Sequence, residues 1–226
     1  MSDKNIIKEY DRPLPKNIEG LQKSLEGVCK VIGIQHHLSE SFVLHFLCHF
    51  VDTPLTSNDN LSKSNWTHHV YFAIRSAAKA LYLGCTFETM GRLDAVIDTL
   101  DDYPGTILVA EWESDSPSVF GKDNELDKLW NGAHQHQNAD GFLLTYCNIE
   151  KLQDFTKQVV EYWQNKKSGR KNAPSLFLII VAYKQEKRVQ KFLFVRSLEI
   201  TSSTVCLWHD LTFVTEEEYL ESIQNL

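Results

Sequence analysis

Two acidic residues at the end of an apolar run have the types and spacing that could do chemistry. Residues 107–110 are apolar at every position, which predicts a buried central strand, and Glu111 and Glu113 belong to its continuation. Because side chains alternate faces along a strand, both carboxylates point to the same side. Carboxylates crowded at the end of a buried strand must take up a proton or bind a cation, and a hard divalent ion with oxygen ligands is the simplest one.

A third acid, Asp94, precedes this strand. Residues 87–97 predict a strand, and residues 98–105 contain the Asp, Pro and Gly of a turn, so the two strands are expected to pair as a hairpin. The hairpin brings Asp94 beside the Glu-x-Glu segment. Acids on neighbouring strands suit one or two Mg²⁺ ions, or Mn²⁺ in their place, held against a phosphate, which is the chemistry of phosphodiester hydrolysis.

This pattern resembles the PD-(D/E)XK nuclease superfamily, which includes many type II restriction endonucleases and repair nucleases. In that superfamily an acid on one strand is followed by acid-x-Lys on the next, and Asp94 and Glu111 match the two acids. Glu113 stands where Lys is usual, a replacement found in a minority of the restriction enzymes, and Leu93 stands where Pro is usual. The resemblance continues through residues 125–129 and 139–146 and covers roughly residues 65 to 200.

The resemblance implies a restriction endonuclease-like core in which Asp94, Glu111 and Glu113 ligate the metal and Glu113 also orients the attacking water. It further implies that a helix after the acid-x-Glu strand can return a Lys to the site, and Lys128 is that candidate for a fourth catalytic residue. The alternative for Lys128 is a salt bridge to Glu125 on a solvent-exposed helix face.

Glu88 is set aside as a ligand on distance. In some relatives the first core helix donates an extra Glu, but the helix predicted here over residues 65–83 contains no acid. Glu88 lies six residues before Asp94, and a straight strand at ~3.3 Å per residue would separate the two by about 20 Å.

The elements predicted along the chain give a mixed α/β fold, with a central mixed β-sheet flanked by helices. We expect a helical N-terminal extension over residues 1–64 and the catalytic core over residues 65–226. Apolar spacing predicts helices from Ile18 to Ile32, from Glu40 to residue 51 with Ser39 as N-cap, over 65–83 with Gly84 as its stop, and over 149–165 and 216–224. Further strands are predicted at 139–146, 175–183, 192–195 and 204–208.

Length and composition favour one large domain. The chain has 226 residues, of which 42% are hydrophobic, and no stretch approaches the ~20 consecutive apolar residues that cross a bilayer. Its start lacks the apolar core of a signal peptide. Five cysteines, an odd number without Cys-x-x-Cys spacing, indicate reduced thiols. We therefore expect a soluble, cytoplasmic protein.

Positive charge is concentrated in one part of an acidic chain. The net charge is −7, yet residues 157–196 carry ten Lys and Arg against two Glu. Two clusters in predicted loops are candidates for binding nucleic-acid phosphates; they comprise Lys166, Lys167, Arg170 and Lys171, and then Lys184, Lys187 and Arg188. The alternative is that these are only solvated loop charges. Because the clusters flank opposite ends of one strand, only one can lie near the acids unless DNA wraps the sheet.

The function predicted from these residues is a metal-dependent DNA endonuclease of restriction, defence or repair type. A restriction enzyme is expected to act as a homodimer. The Gly-rich motifs of dinucleotide and nucleoside triphosphate sites are absent from the sequence, so no nucleotide cofactor is expected. Two alternatives stay open: a DNA-binding or regulatory protein that keeps the nuclease fold without turnover, and a glycosidase that uses the carboxylate pair without a metal.

Overall fold

The computed structural model describes residues 35–52, 63–88, 93–100, 105–120, 124–136, 139–167, 173–186 and 189–224. Its α-helices are α1 (Gln35–Asp52), α2 (Lys63–Ala80), α3 (Glu125–Gln135), α4 (Leu152–Lys167) and α5 (Glu216–Ile223). Its strands are β1 (Leu83–Phe87), β2 (Ala95–Thr99), β3 (Thr106–Glu113), β4 (Asp140–Asn148), β5 (Leu176–Glu186), β6 (Val189–Ile200) and β7 (Val205–Thr212), and short 3₁₀ helices cover Ser116–Phe120 and Ile149–Lys151. The helix predicted from Ile18 to Ile32 lies outside the described residues.

All seven strands form one mixed sheet in the order of the sequence, from β1 to β7. The pairs β1–β2, β2–β3, β5–β6 and β6–β7 are antiparallel, whereas β3, β4 and β5 run parallel. Parallel neighbours need a crossover, which α3 supplies between β3 and β4 and α4 supplies between β4 and β5. The predicted hairpin of β2 and β3 is confirmed, with Ala95 opposite Ala110.

Helices cover both faces of the sheet, so the predicted mixed α/β class is confirmed. Along β4, Phe142 and Leu144 pack with α1 and α2, while Leu143 and Cys147 pack with α3 and α4 on the other face. The period-two alternation of these side chains explains why the central strands read as continuous apolar runs. The sheet is thus the middle layer of three.

Helix α1 is tied to the sheet by aromatic contacts and by one buried hydrogen bond. The ring of Phe46 stacks on Phe50 at 5.2 Å and meets Phe142 of β4 edge-on at 4.9 Å between centroids. The hydroxyl of Ser39 donates to the carbonyl of Ile107 in β3 at 3.0 Å. The prediction that Ser39 caps the helix is therefore wrong, because α1 begins one turn earlier and the hydroxyl bonds to the sheet instead.

Two predicted boundaries before the site are wrong. Residues 87–97 do not form one strand, since β1 ends at Phe87 and β2 begins at Ala95 antiparallel to it. Glu88 takes a left-handed φ of 51°, and its N–H donates to the carbonyl of Asp94 at 3.0 Å across this reversal. Gly84 does not stop α2, because Tyr82 takes the left-handed conformation, with φ of 55°, and Gly84 lies within β1.

Four of the five cysteines lie in the described residues, and all four are free thiols, in agreement with the predicted reduced state. They are Cys48, Cys85, Cys147 and Cys206. Burial raises the pKa of Cys48 to about 11, with the charge of Asp52 adding to the effect, so this thiol stays protonated near neutral pH. Within the described ranges, no helix combines the length and the apolar character that crossing a membrane requires.

Replacement of Phe46 by Ala tests how firmly α1 belongs to the core. Phe46 is fully buried between α1 and β4, so we expect its truncation to lower the free energy of unfolding by about 3–5 kcal/mol. Chemical denaturation measures the change. Phe72→Ala is the matched control, because that ring is 63% exposed on α2 and its loss should change stability by less than about 0.5 kcal/mol. Equal effects of the two substitutions would contradict the packing.

Candidate active site

A cavity of about 360 Å³ lies at the carboxyl end of β3. It is bordered by all four residues predicted to be catalytic, which are Asp94, Glu111, Glu113 and Lys128. They come from three elements: Asp94 precedes β2, the two Glu residues end β3, and Lys128 lies on the crossover helix α3. The sheet order places these elements side by side, so residues far apart in sequence meet in one depression.

Asp94 is held in place by the backbone of the neighbouring strand. Its Oδ2 accepts a hydrogen bond from the Trp112 N–H at 2.8 Å, just beyond the last backbone pair of β2 and β3 at Ala95 and Ala110. The side chain thereby continues the hydrogen bonding of the hairpin and is oriented by it. Burial raises the pKa of Asp94, and this hydrogen bond offsets only part of the effect.

Glu111 is the most deeply buried of the four, with 2% of its surface exposed. Its Oε1 is buried and has no hydrogen-bond partner among the described residues. Burial strongly raises the pKa of Glu111, and the nearby carboxyl groups of Asp94 and Glu125 raise it further. In the absence of a cation the site therefore favours the protonated form of the Glu111 carboxyl.

Lys128 supplies positive charge to this group of acids. Its Nζ lies 2.8 Å from both carboxyl oxygens of Glu125 and forms its hydrogen bond with Oε1, which leaves Oε2 buried without a hydrogen bond. Burial alone would lower the pKa of Lys128, but the bond to Glu125 and the charges of Glu111 and Asp94 raise it instead. The salt bridge to Glu125 is therefore formed, and it borders the site and not a solvent-exposed face.

Glu125 is the site residue that sequence reasoning missed. It is 4% exposed at the start of α3, where Asn124 caps the helix by accepting from the N–H groups of Leu126 and Asp127. The signal was present, because residues three apart lie on the same side of a helix, so a Lys128 that reaches the acids brings Glu125 with it. A carboxylate in the first helical turn is also favoured by the helix dipole.

The distance of about 20 Å that set Glu88 aside as a ligand is wrong. The chain does not run as one straight strand here; it reverses between β1 and β2 and joins Glu88 to Asp94 by a backbone hydrogen bond of 3.0 Å. The exposed Glu88 borders the same cavity as Asp94. It therefore lies at the mouth of the site and not in its buried interior.

In the two clusters predicted to bind phosphates, the side chains that the structure describes, those of Lys166 and Lys184, lie away from the cavity. Lys166 pairs with Asp127 and lies 5.5 Å from the ring centroid of Tyr162. Asp127 and Glu125 are two residues apart and point to different sides of α3, so Lys166 is on the far side from the acids. Lys184 is exposed near the carboxyl end of β5, the same sheet edge as Glu113, without bordering the cavity. The Lys167 side chain, Arg170, Lys171, Lys187 and Arg188 lie outside the described residues.

The donor atoms at the site suit a hard divalent cation. Among the residues with described positions, no three His, Cys, Asp or Glu side chains form an arrangement that could hold a metal ion. Mg²⁺ does not need three such ligands, because it is commonly bound by one or two carboxylates and keeps several waters. The carboxyl groups of Asp94 and Glu111 fit this requirement in chemistry and burial, and the buried Glu111 Oε1 has no hydrogen-bond partner among the described residues.

Comparison of the chain with protein-family models, with curated proteins and with solved structures found no match. The cavity itself brings together four carboxyl residues, which are Glu88, Asp94, Glu111 and Glu113, and one lysine, Lys128.

Glu111→Gln tests the protonation of the buried carboxyl in chelator. An unfolded Glu has a pKa of about 4.3, and the folded value is raised, so the stability that Glu111 contributes is present below that pH and is lost as the pH rises. Gln is neutral throughout. We expect the unfolding free energy of the variant, relative to the natural chain, to increase from pH 5 to pH 8 by up to about 1.4 kcal/mol per pH unit.

Glu161→Gln is the control for this pH series, because Glu161 lies on α4 with its side chain 60% exposed. Its unfolding free energy should follow that of the natural chain at every pH. A constant difference between Glu111→Gln and the natural chain across the series would show that Glu111 is already ionised at pH 5.

Proposed function

We propose that the chain is a divalent-metal-dependent nuclease that hydrolyses phosphodiester bonds, with DNA as substrate and internal cleavage as its mode. The observation that carries the proposal is a single cavity in which Asp94, Glu111 and Glu113 meet Lys128 from a crossover helix. Acids alone would repel a phosphate, but the lysine and a bound divalent cation would offset the negative charge of these three carboxylates. A restriction, defence or repair role is compatible with this site, and a restriction-type enzyme would act as a cytoplasmic homodimer.

The arrangement of elements supports the same proposal. The series α2, β1, β2, β3, α3, β4 gives a helix, an antiparallel meander with the acids, a crossover helix and a parallel strand. This is the order expected for a restriction endonuclease-like core, with Asp94 directly before its second strand and Glu111 and Glu113 on its third. Two independent features, the element order and the acid positions, therefore agree with one functional class.

The chain's own residues can each be given a task in hydrolysis. When bound at Asp94 and Glu111, a divalent cation supplies Lewis-acid activation of the phosphodiester and of water. Glu113 orients the attacking water through its carboxylate. The Trp112 N–H fixes the Asp94 carboxylate by its 2.8 Å hydrogen bond, and Lys128 adds a positive charge that favours the charge developing on the phosphate.

Cleavage of supercoiled plasmid tests the proposal. With Mg²⁺ or Mn²⁺ we expect nicked and linear products, whereas excess chelator or Glu111→Ala should reduce the rate at least about 100-fold, because either removes charge stabilisation at the reacting phosphate. Gel electrophoresis over time gives the rates. Glu161→Ala, at an exposed position on α4, should cleave like the natural chain.

Three other outcomes of this assay have distinct meanings. Tight DNA binding by folded protein without cleavage of any DNA or RNA would overturn hydrolysis and favour a nuclease-fold binding protein. Cleavage that persists in chelator and in Glu111→Ala would assign the products to a contaminant. Metal-independent hydrolysis of a glycoside that is lost in Glu111→Ala would instead move the site to the glycosidase class.

Lys128 gives this site a positive charge that a pair of acids alone would lack. Lys128→Met removes the positive charge and leaves Glu125 buried without its partner, so we expect at least about a 100-fold loss of cleavage. Lys128→Arg keeps the charge and should retain a measurable part of the rate. Single-turnover kinetics at saturating DNA distinguish this loss from weaker binding. Equal activity of Lys128→Met and the natural chain would reduce Lys128 to a structural partner of Glu125.

A further inference from the structure

Aromatic rings border one side of the acidic cavity, and the proposed hydrolysis gives them no task. They are Trp66 and Tyr71 of α2, Phe87 at the end of β1 and Trp112 of β3. The centroids of Tyr71 and Phe87 are 4.0 Å apart with planes at 31°, and those of Phe87 and Trp112 are 6.5 Å apart at 67°. The rings belong to the α1 and α2 face of the sheet, whereas the Glu111 carboxyl and Lys128 lie on its α3 face, so the cavity joins the two sets around the end of β3.

Three of these four rings are only partly covered by the protein. Tyr71, Phe87 and Trp112 are each half-buried, whereas the fully enclosed rings of the same layer, such as Phe46 and Phe142, lie in the core. Trp66 is 3% exposed, and its indole N–H has no hydrogen-bond partner within the described parts of the chain. The cavity therefore offers flat, partly exposed apolar surface at its border, which indicates a ligand with a planar group.

The size of the cavity restricts that ligand. Its volume of about 360 Å³ lies at the low end of the ~300–1,000 Å³ typical of small-molecule pockets, enough for one nucleotide unit and not for a base pair with its backbones. An aromatic side chain can stack only on an exposed base face. In a duplex both faces of a base are covered by its neighbours, so a base in this cavity must be unpaired and unstacked.

We propose that the cavity takes one unpaired nucleotide, whose base stacks against Tyr71, Phe87 and Trp112 while its phosphate lies beside Asp94, Glu111 and Lys128. This assignment rests on the proposed nuclease function and names its substrate class: single-stranded nucleic acid, or a nucleotide displaced from a duplex at a flap, bulge or mismatch. Stacking tolerates every base, so the preference concerns strand state and not sequence.

Binding of an oligonucleotide that contains 2-aminopurine tests the assignment. The full chain carrying Glu111→Gln is used, because the neutral amide removes cleavage together with a group that could repel phosphate. We expect the single strand to bind at least about fivefold more tightly than the same strand in a duplex, and stacking to quench its fluorescence. Tyr71→Leu and Trp112→Leu should each weaken single-strand binding at least about fivefold and leave duplex binding unchanged.

Phe72→Leu is the matched control, since this ring neighbours Tyr71, is 63% exposed and does not border the cavity. It should bind both probes like the parent, and thermal melting of all variants shows that they are folded.

Equal affinity for single strand and duplex, or unchanged binding in both Tyr71→Leu and Trp112→Leu, would overturn the assignment while plasmid cleavage upholds the nuclease. Quenching without cleavage by the natural chain would keep the base site and overturn hydrolysis. Failure of both assays would overturn both proposals.

Discussion

The structure around the candidate site depends on one electrostatic constraint, the crowding of carboxyl groups about Glu111 in a place that water barely reaches. Asp94 and Glu125 flank this buried group, and both raise its proton affinity. Such a group persists only if protons, a positive side chain or a cation compensate it. Lys128 supplies part of that compensation through its salt bridge to Glu125, and the buried Glu111 Oε1, which has no hydrogen-bond partner among the described residues, is where a proton or a cation would supply the rest.

The three-layer fold buries the Glu111 carboxyl and also determines where along β3 that burial ends. Because helices cover both faces of β3, its last residues remain buried up to Glu111 and become accessible only at Trp112 and Glu113. The cavity begins where that cover ends, so the same strand provides a buried carboxyl and an accessible one two residues later. The hairpin of β2 and β3 holds Asp94 at the point where β3 becomes accessible, through its hydrogen bond with the Trp112 N–H. Helix α3 adds the salt bridge between Lys128 and Glu125 to the same site.

Much of this arrangement could be predicted from the sequence, because it depends on the types and spacing of neighbouring residues. The apolar run before Glu111, the turn residues of 98–105 and the helical spacing of α3 and α4 each have a direct physical cause in neighbouring side chains. The reversal after Phe87 was not predictable in this way, since a left-handed Glu88 is stabilised by its bond to Asp94 and not by residue type. The hydrogen bond of the Ser39 hydroxyl to the Ile107 carbonyl was also not predictable, because it depends on how α1 packs on the sheet.

The strictly sequential order of the strands affects how the sheet can form during synthesis. Each strand pairs with the one made just before it, so the sheet can grow by addition at one edge as the chain leaves the ribosome. Residues 88–128, which contain every acid and the lysine of the cavity, are synthesised before β4 begins. Until β4 is made, one side of β3 is an unpaired edge, and its polar backbone groups would attract other nascent strands. The chemistry of the site is thus encoded early, while its protection from water and from aggregation is completed by the later half of the chain.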